Sequence, residues 1–293
     1  MKNIFPGVLL AMCASILWGT TGTAQSFLTP GSVTPYWVAA IRLLFACVFF
    51  FGMLVMTKST VCPQKHSRQY WNTVVGAASA IALFNIAFFQ GVSLSGVALG
   101  SVCILGSSPI WTGVLEWIFL GQAPRLRWLL GTAISITGGA VLVLGNTSIR
   151  SFSWIGLCVC LFAGLMYATY TMTSKKLVAQ VSPLVATTHT FSLAAVIALI
   201  VAMLFAPLPQ MDTTAWTVTA YLGIITTGIA YWLFTSGLKQ IHASVAVTLN
   251  LLEPLTACLL AVLVVHETIA PTGYLGLAGI IAGLAIILYP EKK

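Results

Sequence analysis

The chain has 293 residues, of which 59% are hydrophobic and only 6% are charged, with a formal net charge of +8 at pH 7. A soluble globular protein averages about 25% charged residues, so these few charges cannot cover the surface of a water-soluble domain of this size. The mean hydropathy of +1.00 points the same way. The composition therefore excludes a soluble enzyme, a nucleic-acid-binding protein and a disordered scaffold, and the basic balance is typical of the Lys and Arg residues that orient membrane helices.

Ten apolar stretches are long enough to cross the roughly 30 Å hydrocarbon core of a bilayer as helices. We expect these spans at residues 5–27, 36–57, 71–90, 96–120, 127–146, 152–172, 183–206, 214–236, 243–265 and 271–289. Continuous apolar runs of this length exclude a β-barrel, whose strands would have about 10 residues of alternating character. The sequence predicts an all-α membrane protein with ten transmembrane helices, the first of which is interpreted as a retained helix rather than a cleaved signal sequence.

The placement of Lys and Arg predicts the orientation of the chain. With the N-terminus in the cytoplasm, 11 of the 13 basic residues fall on the cytoplasmic side, Arg150 falls outside and Arg42 lies within a span. The 11 residues are Lys2, Lys58, Lys65, Arg68, Arg125, Arg127, Lys175, Lys176, Lys239, Lys292 and Lys293. We therefore expect both termini in the cytoplasm and the chain in the cell inner membrane.

The two halves of the chain match each other at a nearly constant spacing. Four pairs are 145 positions apart, namely Pro109/Pro254, Gln122/Glu267, Gly131/Gly276 and Gly138/Gly283. Three earlier pairs are 148 or 149 positions apart, namely Pro35/Pro183, Gly7/Gly156 and Trp18/Tyr167. We expect two repeats, residues 1–147 and 151–290, of five helices each. Because five is odd, the second copy enters the membrane from the opposite side, which is the inverted-repeat plan of secondary transporters.

The sequence around several of these residues resembles the motifs of a known family, the EamA family of the drug/metabolite transporter superfamily. The resemblance rests on Ser107-Ser108-Pro109 through Gly121-Gln122, on Leu252-Glu253-Pro254 through His266-Glu267, and on Trp18-Gly19 and Arg42. It covers the whole chain as two EamA repeats. It implies a ten-helix bundle with a central cavity and the export of amino acids or other small metabolites. Gln122 departs from the family pattern, which has an acid at that position.

Glu253 is the clearest candidate for a functional residue. It lies ten residues into the ninth span, near the midplane, where a carboxylate costs about 2.5–3.5 kcal/mol. The next residue, Pro254, has no N–H group and is expected to leave the carbonyl of Asn250 unsatisfied. We interpret Glu253 as a cation-binding or proton-exchanging carboxylate, and the alternative is a structural acid bonded to a neighbouring helix. Its repeat mate Ser108, like Ser107, either binds substrate or bonds back to its own helix.

Arg42 lies about one third into the second span, and it either snorkels outward or anchors a substrate carboxylate. Tyr and Trp residues in the middle of spans predict a cavity lined by aromatic rings, with simple packing as the alternative. The predicted substrate-binding residues are Trp18, Arg42, Asn85, Ser107, Ser108, Trp111, Tyr167, His189, Tyr231, Asn250 and Glu253. Glu116 is expected to snorkel or to pair with Arg125 or Arg127.

We predict a secondary-active carrier, not an enzyme, that exports an amino acid, amine or drug-like compound by alternating access, with proton coupling through Glu253 as one option. A carrier of phosphorylated sugars or nucleotide-sugars would call for two or more intramembrane cations, and only Arg42 is available. An intramembrane enzyme or sensor would need a Ser/His or Asp/Asp pair, and none is in register.

Cysteine and histidine spacings indicate no disulfide framework and no metal site, so we expect no metal and no cofactor. The expected partners are the substrate and the lipid bilayer, and no nucleic acid. The matched glycines of helices five and ten are expected to pack within the chain, with a homodimer seam as the alternative.

Overall fold

The computed structural model describes residues 5–29, 31–58, 67–145, 153–263 and 271–289. In these ranges all regular secondary structure is helical. Ten stretches are long and apolar enough to cross a membrane: Phe5–Gln25, Pro35–Met56, Arg68–Ser95, Leu99–Leu120, Leu126–Leu144, Trp154–Val178, Pro183–Phe205, Thr213–Leu238, Ala243–Leu260 and Pro271–Leu288. The prediction of ten transmembrane helices is confirmed. The expected span ends at 146, 152 and 264–265 lie outside the described residues, as do Lys2, Lys65, Arg150, His266, Glu267, Lys292 and Lys293.

Three of the described spans are interrupted and the others are single helices. The first span divides into α1 (Phe5–Gly19) and α2 (Thr21–Gln25). The eighth span divides into α9 (Thr213–Gly223), a π-helical segment (Ile224–Ile229) and α10 (Ala230–Leu238). The ninth span divides into α11 (Ala243–Leu249) and α12 (Leu252–Leu263). The single helices are α3 (Pro35–Met56), α4 (Arg68–Ser95), α5 (Val97–Leu120), α6 (Leu126–Leu144), α7 (Trp154–Val178), α8 (Pro183–Phe205) and α13 (Pro271–Leu288).

Local sequence explains several helix ends. Proline occupies the first position of α3 and α8, where its missing N–H group is not needed. The Ser67 hydroxyl accepts a hydrogen bond from the Tyr70 N–H at the start of α4, and Gly96, with φ of 80°, follows its end. Helix α7 runs six residues beyond the expected end at 172, and its last turn carries Leu177 and Val178, which are buried in the hydrophobic core.

The helices pack in a pattern that is preserved when the two halves are exchanged. Helices from matching positions pack on each other, α3 on α8 and α6 on α13. The third span (α4) packs on the sixth (α7), and the first (α1) packs on the eighth (α10), which are equivalent pairs. This is the arrangement expected of two inverted five-helix repeats. We call the side of the bundle where α1 begins the Phe5 face and the side where α3 begins the Pro35 face.

The matched glycines lie in the contact between α6 and α13. A Cβ atom on Gly138 would lie 2.6 Å from the backbone nitrogen of Ile280, and a Cβ atom on Gly276 would lie 2.5 Å from the backbone nitrogen of Leu142. Only glycine allows this backbone approach, which gives membrane helices close van der Waals packing. These glycines therefore pack within the chain, and a homodimer would have to use another surface.

Candidate functional site

A cavity lies between the two halves of the bundle and has about 540 Å³ of empty space, counted out to its open mouth. The first half contributes Trp18, Thr21, Arg42, Phe84, Phe88, Ile104, Leu105 and Ser108, and the second contributes Tyr167, Tyr231, Val247, Asn250 and Glu253. Several of these residues lie near the ends of their helices at the Pro35 face. Arg42 is seven residues from the start of α3, and Phe88 is seven residues before the end of α4. The cavity is thus displaced toward the Pro35 face.

Arg42 is held in the cavity wall by the π-helical segment. Its Nε donates to the Thr227 hydroxyl over 2.9 Å, and its Nη2 donates to the Thr226 hydroxyl over 3.3 Å. Both hydroxyls donate in turn to the Leu222 carbonyl, so their lone pairs are directed at the arginine. The guanidinium also lies over the ring of Phe89, 5.5 Å from its centroid. With 5% of its surface exposed, Arg42 does not snorkel outward, because these two threonines replace water around its charge.

Glu253 follows the interruption in the ninth span. Helix α11 ends at Leu249 and α12 begins at Leu252, so Pro254 sits in the first turn of a new helix, where no N–H donor is required. The expectation that Pro254 leaves the Asn250 carbonyl unsatisfied is wrong, because that carbonyl accepts a hydrogen bond from the Glu253 N–H over 2.8 Å. The break places the carboxylate in the cavity wall, half-buried.

The carboxylate of Glu253 has no hydrogen-bond or ion-pair partner among the described residues. Arg42 lines the same cavity but lies beyond ion-pairing distance, and two of its five N–H groups are bonded to the threonines. One positive and one negative group thus face the same space without neutralising each other directly. A charge in a poorly solvated site is stabilised by an opposite charge, so each is suited to bind an oppositely charged group of a ligand.

Aromatic rings form much of the remaining wall. Trp18 contacts Tyr231 at a centroid distance of 4.9 Å and Tyr167 at 6.2 Å, and Phe84 contacts Tyr167 at 4.9 Å. The polar atoms of Trp18 and Tyr167 are hydrogen-bonded. The indole Nε1 of Trp18 donates to the Thr226 carbonyl over 2.8 Å, and the Tyr167 hydroxyl accepts from Asn250 Nδ2 over 2.8 Å. These hydrogen bonds fix the orientation of the two rings, so the rings present mainly apolar surface to the cavity.

Seven of the eleven residues predicted from the sequence line this cavity, namely Trp18, Arg42, Ser108, Tyr167, Tyr231, Asn250 and Glu253. The structure places the other four elsewhere. The Asn85 amide donates to the Ile81 carbonyl one turn earlier in its own helix, and the Ser107 hydroxyl donates to the Ile104 carbonyl. The His189 ring bonds the Tyr70 hydroxyl over 2.8 Å toward the Phe5 face, and Trp111 is half-buried on α5, outside the cavity.

Sequence reasoning missed the residues that fix Arg42 and Asn250 in place. Thr226 and Thr227 hold Arg42, and the Ser15 hydroxyl donates to Asn250 Oδ1 over 3.2 Å. A polar Thr-Thr pair in the middle of an apolar span is a signal that could have identified the first two. The described residues include no group of three or more His, Cys, Asp or Glu side chains placed to hold a metal ion.

Comparison with known proteins gives similarity over the whole length of the chain. The EamA-like transporter family matches at residues 5–144 and again at residues 154–289. Over 293 residues the chain is 35% identical to the "Uncharacterized transporter YwfM" of Bacillus subtilis (strain 168), covering 97% of this chain and 94% of the relative. Over 314 residues it is 25% identical to the "Uncharacterized inner membrane transporter YicL" of Salmonella typhimurium, covering 100% and 98%. A crystal structure shares the fold with a TM-score of 0.83 and 19% identity over 96% of both chains.

Proposed function

Because the chain belongs to the EamA-like transporter family, we propose that it is a secondary-active carrier of a small metabolite that works by alternating access at the cavity between its two repeats. Ten apolar spans and an inner-membrane relative make the chain a multi-pass protein of the inner membrane. The substrate, the direction and the coupling are the parts that we propose.

The observation that carries the proposal is that both repeats border one cavity that holds two unneutralised charges. In carriers built from inverted repeats, the substrate binds near the midplane between the copies, and rocking of one copy against the other exposes the site to each side in turn. Here the cavity is displaced toward the Pro35 face, so the described conformation corresponds to the state closed at the Phe5 face.

The chemistry of the wall favours an amphipathic substrate with charged ends. Arg42 suits a carboxylate and Glu253 suits an ammonium group, while the rings of Trp18, Tyr167 and Tyr231 suit an apolar side chain or an organic cation. An amino acid uses both charged groups, and an amine or a cationic drug-like compound uses Glu253 and the rings. A phosphorylated sugar is disfavoured, because a single arginine and a carboxylate face the cavity from the described residues.

We propose export coupled to protons through Glu253. Its carboxylate can hold either a proton or the ammonium group of a substrate, but not both. A proton entering from the acidic side would displace the substrate, and the inward proton gradient would then drive the substrate outward. Such competition for one acid requires no second ion-binding residue.

The test is a thermal-shift screen of amino acids, amines and organic cations on the purified protein, because a ligand that binds only the folded state raises the melting temperature. Uptake into proteoliposomes follows for every compound that binds. Leu105→Trp should fill the cavity and abolish both the shift and the flux, whereas Leu130→Trp, at a position 53% exposed on the bundle surface, should leave both unchanged. Full binding and transport by Leu105→Trp, or no flux of any compound by the parent protein, would refute the proposal.

A further inference from the structure

A short turn at the Phe5 face is held from two sides by charged side chains that the cavity does not use. The turn comprises residues 239–242 and joins α10 to α11. Lys175 Nζ donates to the carbonyls of Leu238 and Ile241 over 2.5 and 2.6 Å. Glu116 Oε1 accepts a hydrogen bond from the Ala243 N–H over 2.9 Å. The lysine therefore satisfies one carbonyl at the end of α10 and one within the turn, and the glutamate satisfies an N–H group at the start of α11.

Glu116 is buried, with 6% of its surface exposed, so snorkelling, the first of the two alternatives that the sequence offered, is wrong. A buried carboxylate is costly unless it is hydrogen-bonded and compensated, and here it meets a backbone N–H and lies within electrostatic range of Lys175. Hydrogen bonds to charged groups are roughly twice as strong as neutral ones. The two side chains therefore fix the turn more firmly than backbone contacts alone would.

Glu116 joins the two repeats at the closed face, because its hydrogen bond runs from the first repeat to the turn of the second, and Lys175 fixes that turn from within the second repeat. Glu116 lies on α5 in the first repeat, and Lys175 lies on α7 in the second. Beside them, α1 meets α10 backbone to backbone: a Cβ atom on Gly237 would lie 2.5 Å from the Gly7 carbonyl oxygen. Behind the turn, the ninth span continues to Asn250 and Glu253 in the cavity wall. Release of the turn would uncover the cavity from the Phe5 face.

No charged counterpart occupies the equivalent positions of the opposite face. With the repeat spacing of 145, Glu116 corresponds to position 261, which is alanine, and with a spacing of 148 or 149, Lys175 corresponds to Phe27 or Ser26. The two faces of the bundle thus have equivalent helix packing, but only the Phe5 face has the charged residues Glu116 and Lys175 at these positions.

We propose that Glu116 and Lys175 form a latch that keeps the Phe5 face closed and biases the carrier toward the state open at the Pro35 face. The proposal rests on the alternating access proposed above. In each transport cycle the hydrogen bonds from Lys175 and to Glu116 break together as the turn moves away from α5 and α7.

The test measures how readily a reagent reaches the residue behind the turn. Ser244 lies in the first turn of α11 with 8% of its surface exposed, and Ser244→Cys is a nearly isosteric reporter. A membrane-impermeant maleimide is applied separately to each side of sealed membrane vesicles, and mass spectrometry quantifies the label at residue 244. Glu116→Ala should raise the labelling rate from the Phe5 face about tenfold, the change expected from losing one charge-assisted hydrogen bond, and Lys175→Met, which removes two such bonds, should raise it by at least as much.

Lys176→Met is the matched control, because Lys176 is exposed and lies over the ring of Phe119, 5.9 Å from its centroid, rather than on the turn. It should label at the parent rate. Glu116→Gln keeps an acceptor and Lys175→Arg keeps donors, so these milder variants should give smaller increases, and they replace the first pair if those variants fail to fold.

Unchanged labelling in the Glu116 and Lys175 variants, or an equal rise in Lys176→Met, would overturn the latch. Neither result would touch the carrier proposal, which is tested by substrate flux in the parent protein. Conversely, an absence of flux in the parent would refute the carrier proposal, while the labelling rates would still support or overturn the role of the pair in closing the Phe5 face.

Discussion

Trp18 and Tyr167, which hold equivalent positions in the two repeats, meet edge to face with their ring centroids 6.2 Å apart and their planes at 86°. Residues that are far apart in sequence but equivalent by repeat symmetry can meet in this way where the halves face each other. Their polar partners differ, however. Trp18 donates to the Thr226 carbonyl, and Tyr167 accepts from Asn250. The aromatic frame of the cavity is therefore nearly symmetric, while its hydrogen bonds are not.

Tyr167→Phe should destabilise the protein by about 1–3 kcal/mol, because removing the hydroxyl leaves the buried Nδ2 of Asn250 without this acceptor. The measurement is thermal or denaturant unfolding in detergent. Tyr274→Phe is the matched control, since Tyr274 is 61% exposed, and its effect should stay within about 0.5 kcal/mol. Equal stability of Tyr167→Phe and the parent protein would show that the Asn250 contact contributes little.

Glu253→Gln should remove the pH dependence of substrate binding. In the parent protein, lowering the pH protonates the carboxylate, which then cannot pair with an ammonium group, so the affinity for amines should fall as the pH falls. The amide does not titrate, so the variant should bind amines weakly at every pH. Binding measured by titration calorimetry across the pH range checks this.

Asp212→Asn is the control for that experiment. Asp212 caps α9 by accepting a hydrogen bond from the Ala215 N–H over 2.7 Å, and asparagine caps helices equally well. This variant should keep the pH response of the parent. A Glu253→Gln protein with the same pH response as the parent would assign the proton site to another group.

The glycine pair 138 and 139 provides an internal comparison of packing. Gly138→Ala should destabilise the protein by about 1–3 kcal/mol, because the new Cβ atom would meet the backbone of α13, which cannot move aside as a flexible side chain can. A Cβ atom on Gly139 would meet nothing within 4 Å, so Gly139→Ala should be neutral or stabilise the helix by about 0.5–1 kcal/mol. Unfolding of the two variants in parallel checks the difference, and equal stabilities would contradict the close contact of α6 with α13.

Hydropathy predicted the spans well, because the length of a helix that crosses a bilayer is fixed by the thickness of the hydrocarbon core. The free-energy cost of a charged side chain in a membrane span likewise led to the prediction that Arg42 and Glu253 line the cavity, because such residues usually face the bundle interior and mark substrate or ion pathways. Pro254 predicted a disturbance of the ninth span near Asn250, but the sequence did not predict that the helix ends and restarts there, nor that the eighth span contains a π-helical segment. Span prediction from hydropathy averages over about 20 residues, so it does not detect the interruption at residues 250–251 or the π-helical segment at 224–229.

The same limit explains the candidates that the structure places elsewhere. Asn85 and Ser107 satisfy their polar groups on the preceding helical turn, and His189 finds the hydroxyl of Tyr70. A sequence shows that a polar residue lies within a span but not which side of the helix it occupies relative to a partner. Rotation about the helix axis is decided by packing with neighbouring helices.

The central claim is that Arg42 and Glu253 bind opposite ends of one substrate, and calorimetric binding of three related ligands tests it most directly. The ligands are an amino acid that the parent protein binds, the amine that lacks its carboxylate, and the acid that lacks its ammonium group. Arg42→Gln should weaken binding of the amino acid and the acid about tenfold or more but spare the amine, and Glu253→Gln should weaken the amino acid and the amine but spare the acid. Equal losses for all three ligands in both variants would contradict the claim.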